Sequence, residues 1–231
     1  MINVQGIKKQ YNNLVALDIP AMEIAAGECF GLIGNNGAGK TTFFRLILDL
    51  LAATDGVITS KNISVSQSET WKKYTGSYLD EGFLIDYLSP VEYFDFVGYL
   101  HGMNTADIAQ LFNHLDGFAG EELWRSPKPI RTLSKGNKSK VGIMAALMGN
   151  PEVVILDEPF AHLDPSSQIS LKKLLKRISS EQHVTLLISS HDLAHVTEVC
   201  NRIVLLESGL VIRDFAPTPD TMQELEAYFT R

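Results

Sequence analysis

Nine residues, Gly34-Asn35-Asn36-Gly37-Ala38-Gly39-Lys40-Thr41-Thr42, constrain this chain more than any other stretch. They fit the spacing Gly-x-x-x-x-Gly-Lys-[Ser/Thr] and lie between an apolar run, Cys29-Phe30-Gly31-Leu32-Ile33, and a helical pattern from Phe43 to Leu51. Buried strand, glycine loop and helix is the order this motif requires. The glycines let the backbone curl until successive N–H groups and the helix N-terminus converge on one anion, and Lys40 adds a mobile cation for the outer phosphates. Thr41 offers its hydroxyl to a magnesium ion. The stretch therefore reads as a phosphate-binding loop for a nucleoside triphosphate or a similar anion.

The surrounding chain predicts a frame for that loop. Ile2, Val4 and Ile7 alternate as in an edge strand over Ile2 to Tyr11, and Val15 to Ile19 with Met22 to Ile24 continue in extended style. Pro20 is tolerable there only at an edge or a turn. Thr54-Asp55-Gly56 reads as a break, followed by short strands at Val57-Ile58, Ile63 to Val65 and Tyr74 to Leu79. From Leu88 to about Gly149 helical periodicity takes over. Ser89-Pro90-Val91-Glu92 starts one helix with an N-cap serine, a proline at the first position and a glutamate at the third. Thr105 is expected to cap a second helix, and Leu133-Ser134-Lys135-Gly136-Asn137 opens a long one.

Val153-Val154-Ile155-Leu156 is a fully apolar strand that delivers Asp157 and Glu158 to a sheet edge. A helix over 165–180, a strand from Val184 to Ser189, a helix to Cys200, a hairpin around Ser208-Gly209 and a last amphipathic helix complete the series. The expected fold class is α/β: a mostly parallel sheet flanked by helices, with an N-terminal antiparallel β layer and an inserted helical subdomain. One domain over 1–231 is expected, with a core lobe of 1–81 and 150–231 and a helical lobe of 82–149.

Composition excludes some functions. The net charge of −7 argues against a nucleic-acid binder, which needs a basic surface to displace counterions. No apolar stretch approaches the 18 or so residues that span a bilayer, and the N-terminus lacks the pattern of a signal peptide, so a cytoplasmic chain is expected. Cys29 and Cys200 are far apart in sequence and read as buried small hydrophobes, with no disulfide framework.

Two carboxylates add chemistry to the loop. Asp157 at the end of its strand can stand beside Thr41 and hold magnesium, and Glu158 can face the terminal phosphate and polarise an attacking water. His191 and His195 stand one helical turn apart, as in a metal-binding helix, but the glutamate of His-Glu-x-x-His is absent.

Taken with these residues, Leu133-Ser134-Lys135-Gly136-Asn137, twenty residues before Asp157, resembles the signature sequence of ABC-type ATPases, usually Leu-Ser-Gly-Gly-Gln. The likeness runs from Tyr11 through the glycine loop, the signature, Ile155 to Pro159, Leu163-Asp164 and Ser190-His191-Asp192. It is greatest to the single-domain ATP-binding subunits of exporter-type transporters, which also tolerate a lysine where Lys135 stands. The resemblance implies a P-loop NTPase fold, ATP and Mg2+ as ligands, and ATP hydrolysis coupled to transport.

On matching residues it implies that Tyr11 stacks on adenine and that Ser134 and Gly136 bind the terminal phosphate of ATP held by an opposite subunit. It also implies that Glu81, aligned with a glutamine, senses the magnesium ion, and that His191 contacts the terminal phosphate and orients Glu158. The implied partners are an integral membrane permease subunit on a separate chain and a second ATPase subunit, in a homodimer or heterodimer. The implied location is the inner face of the cell membrane. The alternative is a soluble ABC-type ATPase that acts on ribosomes, DNA or another assembly. Asn137, Lys135, Glu81 and His162 depart from the family pattern.

Overall fold

In the computed structural model, which describes residues 1–115 and 117–229, the strand leading into the glycine loop sits inside a sheet and is covered on both faces. The chain begins with β1 (Ile2–Tyr11), β2 (Leu14–Ile24) and that strand, β3 (Cys29–Ile33), followed by α1 (Lys40–Ile47), β4 (Asp55–Ser60), β5 (Ile63–Ser64) and β6 (Thr75–Tyr78). The stretch up to the next strand is helical: α2 (Pro90–Leu100), α3 (Thr105–His114), α4 (Glu121–Trp124) and α5 (Lys135–Ala146). Strand and helix then alternate through β7 (Val153–Leu156), α6 (Pro165–Gln182), β8 (Thr185–Ser190), α7 (Leu193–Val199), β9 (Arg202–Glu207), β10 (Leu210–Phe215) and α8 (Thr221–Phe229).

The main sheet has the order β10-β9-β3-β8-β7-β6, and every neighbouring pair is parallel except β10 with β9. The second sheet, β2-β1-β4-β5, is antiparallel throughout. Period-2 alternation divides β3 between two cores. Phe30 and Leu32 join Phe43 and Phe44 of α1 and the inner face of the antiparallel sheet. Cys29 and Ile33 join α5, α6 and α7 on the other side. A loop that continues such a strand inherits its rigidity, because a slip in register would expose one of the two apolar sets.

The predicted strands and helices are present, with local differences. The break expected at Asp55-Gly56 is the start of β4, because Gly56 takes φ +82° and lies against the Gly6 carbonyl. Gly6, itself at φ +58°, falls in the gap of the β1–β2 register that Pro20 occupies on the edge strand. α1 stops at Ile47 rather than at residue 51, and Asp49 has turned to φ +50°. The cap of α3 is Asn104 and not Thr105; the Asn104 side chain accepts from the Ala106 and Asp107 N–H groups, and Asp107 reaches back to the Asn104 N–H. The capping box at Ser89 and Glu92 forms as read.

The separation of the cysteines in sequence does not persist in space. Asn201 N–H donates to the Cys29 carbonyl at 2.9 Å and the Cys29 N–H to Asn201 Oδ1 at 3.1 Å, which brings Cys200 against the start of β3. Both thiols are free and buried. A hydrogen bond to Cys29 and then burial push the Cys200 thiol well above its ordinary range. Since the thiolate is the nucleophile, native protein at pH 8 should resist iodoacetamide at both cysteines for hours, whereas urea-unfolded protein should gain two adducts within minutes. Mass spectrometry of intact protein reads the difference, and rapid labelling of native protein would contradict this packing.

Candidate functional site

The glycine loop builds its cleft from backbone. Gly39 at φ +108° precedes α1, and Gly34 and Gly39 have no room for a Cβ beside the Leu206 and Ala16 carbonyls respectively. Residues Asn35 to Thr42 with Ala16 and Glu158 line a cleft of about 210 Å³ at the N-terminus of α1. Free N–H groups and the positive end of the helix dipole favour an anion there.

Lys40 is only 6% exposed and folds back over the loop. Its Nζ donates to the Gly34 carbonyl at 2.6 Å and to the Asn35 carbonyl at 3.4 Å. It also lies 3.2 Å from Glu158 Oε1, an ion pair that lacks hydrogen-bond geometry. The ammonium thus occupies a preformed position among acceptors that a phosphate would replace.

β7 carries Asp157 to the same place. Its Oδ2 accepts from the Thr41 hydroxyl at 2.5 Å, and its Oδ1 accepts from the Ser189 hydroxyl. Burial raises the Asp157 carboxyl above its ordinary range, the Ser189 and Thr41 hydrogen bonds lower it in part, the Glu158 charge raises it further and Lys40 opposes that. The net direction is upward.

Glu158 leaves the strand at φ +48°, a left-handed conformation uncommon outside glycine. Its N–H donates to Ser189 Oγ at 2.9 Å, which fixes the turn. Its Oε2 accepts from the His191 N–H at 3.2 Å and lies 2.8 Å from His191 Nδ1. The carboxylate is therefore held between Lys40 and His191.

Ser189 is the residue that reading the sequence missed. It is fully buried at the end of β8 and touches both Asp157 and the Glu158 backbone. The available signal was a polar side chain closing an apolar strand, level with the carboxylates on the neighbouring one.

Other expected residues lie elsewhere. Tyr11 ends β1, about half exposed beneath Lys9 Nζ at 4.8 Å, and it does not line the loop cleft. Ser134 caps α5, accepting from Asn137 N–H at 3.3 Å, and a Cβ on Gly136 would crowd the His162 carbonyl at 2.6 Å. Neither Ser134 nor Gly136 lines the cleft of its own chain. Glu81, expected at the metal, lies 3.2 Å from Lys138 Nζ and is also outside that cleft.

Asp164 caps α6 through Ser166 and Ser167, whose hydroxyls and the Ser167 N–H hold its carboxyl far below the usual range. His195 turns away from His191: its ring lies 4.4 Å from that of Phe160 and Nε2 faces Asp192 at 3.5 Å. Burial lowers its basicity against the pull of Asp192. Among the described residues no group of three or more His, Cys, Asp or Glu side chains is placed to hold a metal ion.

The model of the family described as "ABC transporter" matches residues 17–161. The chain is 33% identical over 210 residues to the ABC transporter ATP-binding protein YhaQ of Bacillus subtilis, covering 90% of this chain and 69% of that one. It is 31% identical over 224 residues to the methionine import ATP-binding protein MetN of Clostridioides difficile, covering 92% and 67%. Its fold matches that of the ATP-binding cassette MJ0796, solved as a dimer bound to ADP and Pi, with TM-score 0.84 at 23% identity over 94% of this chain and 99% of that one. With the glycine loop, paired carboxylates and histidine arranged as above, the chain belongs to the ABC transporter family and is one of its ATP-binding, ATP-hydrolysing cassettes.

Proposed function

We propose that this chain hydrolyses ATP as one of two ATPase subunits that close head-to-tail around two ATP molecules and drive a separate membrane-spanning subunit. One observation carries the reading. Ser134 and Gly136 open a helix whose free N–H groups suit a terminal phosphate, yet they lie outside the cleft that Lys40 and Glu158 share. A second copy, or a related subunit, supplies them. The dimeric state of MJ0796 supports this arrangement.

Within such a closed site the residues divide the work. α1 and Lys40 hold the outer phosphates, and Tyr11 stacks on adenine. Glu158 accepts a proton from the attacking water as its oxygen bonds to the terminal phosphorus, the bond to the bridging oxygen breaks, and ADP departs. With Nδ1 turned to Glu158, His191 holds the carboxylate and leaves Nε2 for the phosphate. The Thr41 hydroxyl and Asp157 carboxylate, 2.5 Å apart, form an oxygen donor set of the kind Mg2+ takes. When bound there, the ion would neutralise charge on the phosphates. Loss of the terminal phosphate removes a contact shared by both subunits and reopens the dimer.

Among the described residues no helix is long and apolar enough to cross a membrane. Phe83, Tyr87, Phe96, Tyr99 and Leu100 expose apolar surface on α2 and the turn before it, among Asp86, Glu92 and Asp95. Phe94 lies in the core, where it meets Phe112 edge-on, and Tyr93 is partly buried against that core. The exposed set fits an amphipathic helix with basic flanks on the membrane subunit, and docking there places the chain at the inner face of the membrane. Export is the proposed direction, supported by Lys135, which exporter-type subunits tolerate.

Cross-linking of the tagged chain in its own cells should recover an integral membrane protein, and Tyr99→Glu with Leu100→Glu should reduce that recovery about tenfold while ATP hydrolysis continues. Stoichiometric recovery with ribosomes instead would sink the transport reading.

A further inference from the structure

Glu81 follows β6 at the point where the helical stretch begins. Its carboxylate lies 3.2 Å from Lys138 Nζ, and that of its neighbour Asp80 lies 3.6 Å from Arg45 Nη2. Arg45 stands on α1, whose N-terminus forms the phosphate cleft, and Lys138 stands on α5 one turn beyond Ser134. Two consecutive carboxylates therefore connect the helix that binds nucleotide in this chain to the helix that would close on a partner's nucleotide.

The backbone carrying these acids is fixed. Asp80 Oδ1 accepts from Gly82 N–H at 2.7 Å, and Phe83 and Leu84 N–H groups donate to the Asp80 and Glu81 carbonyls at 3.3 and 3.2 Å. The later turns of α5 are sealed to β6 without ionic help: Gly76 leaves no room for a Cβ beside the Ala146 carbonyl, Gly142 none beside the Tyr78 ring, and Tyr78 Oη meets Ser139 Oγ at 3.1 Å. That seam ends with β6 at Tyr78. The first turn of α5 extends beyond it and carries Ser134 and Gly136.

We infer that Glu81 is a positioning residue that sets the first turn of α5 through Lys138 and, with Asp80 and Arg45, keeps it in register with α1. This inference rests on the dimer proposed above and gives Glu81 work that a metal ligand would not do. Its consequence is a split: the pair governs how well the signature closes on the opposite ATP, whereas nucleotide capture by the single chain depends on Lys40 and the loop. A half-exposed ion pair is worth roughly two- to fivefold in an equilibrium. The dimer contains it twice, so its loss multiplies to about tenfold.

The test measures ATP-driven dimerisation by sedimentation in a Glu158→Gln background, at several Mg2+ concentrations, beside binding of a fluorescent ATP analogue. Lys138→Met should weaken dimerisation about tenfold, leave analogue binding within twofold, and leave the half-saturating Mg2+ concentration in place. Glu81→Gln should weaken dimerisation to a similar extent. The exchange Glu81→Lys with Lys138→Glu should restore most of the loss, which a lysine in a metal site could not do. Thermal melts confirm that each variant is folded. A Mg2+ requirement that shifts with Glu81→Gln alone, or an exchange that restores nothing, overturns the inference and makes Glu81 a metal ligand. A Glu158→Gln parent that stays monomeric overturns the dimer itself, and this inference falls with it.

Discussion

Replacing Glu158 by glutamine should lower steady-state ATP hydrolysis by about 10²- to 10³-fold, the range expected when a positioned general base is lost. The same change should increase, not decrease, the fraction of chain found as a nucleotide-bound dimer. Both effects follow from the place of the carboxylate. Glu158 Oε1 lies 3.2 Å from Lys40 Nζ, where the acid competes with phosphate for the cation. A glutamine is isosteric, keeps an oxygen for His191 and ends that competition. ATP affinity should therefore rise severalfold while the chemical step slows, and closed dimers accumulate because the phosphate contact is no longer removed. Size-exclusion chromatography with ATP and Mg2+ reads the dimer, and phosphate release reads the rate. A variant with near-normal turnover would show that another group activates the water. One that is slow but monomeric would show that ATP does not close two subunits.

How much of this was legible before the structure depends on whether the determinant was local. The loop from Gly34 to Thr42 could be read in full, because its chemistry is backbone geometry written as glycine spacing, and the strand and helix around it have distinct periods. Asp157 and Glu158 were legible because an apolar strand that ends in two acids has few other purposes. The Ser89 capping box was legible because the whole motif lies within four residues. What the chain hides is tertiary. Nothing in the order of residues puts Ser189, on β8, between two groups carried by β7; only the parallel register of Val153 with Thr185 does so. Nothing local pairs Glu81 with Lys138, or brings Cys200 to Cys29 across 171 positions of sequence, counted as 200 minus 29. The aromatics of α2 divide for the same reason. Phe94 and Phe96 are two residues apart on α2, and a helix turns them to different sides, one into the core and one toward solvent.

Asp157→Asn should abolish Mg2+-dependent turnover, by about 10³-fold, and yet make the nucleotide-free chain more stable. The sign follows from its carboxyl, which is raised above its ordinary value, chiefly by burial. A raised carboxyl means that the folded state binds the proton more tightly than the unfolded state. Its contribution is therefore favourable below the unfolded value and is lost as pH rises through the folded one, so at neutral pH the charged side chain costs stability. The amide removes that charge and its repulsion from Glu158. Its oxygen can still accept from Ser189, and its NH2 can donate to the Thr41 hydroxyl. We expect the Tm at pH 7.5 to rise by about 2–4 °C, as roughly 1 kcal/mol does in a chain of this size. The gain should shrink as pH falls toward the ordinary carboxylate range, where the native residue is also neutral. Adding ATP and Mg2+ should reverse the ranking. Ligand at a hundredfold above its Kd stabilises the native chain by about 2.7 kcal/mol, and the variant forfeits most of this. Differential scanning calorimetry with and without ligand measures both halves. A lower Tm for the ligand-free variant would mean that hydrogen bonds to the charged form outweigh the cost of burying it. In that case the charged Asp157 would be a structural anchor, instead of a residue kept at the expense of the resting fold.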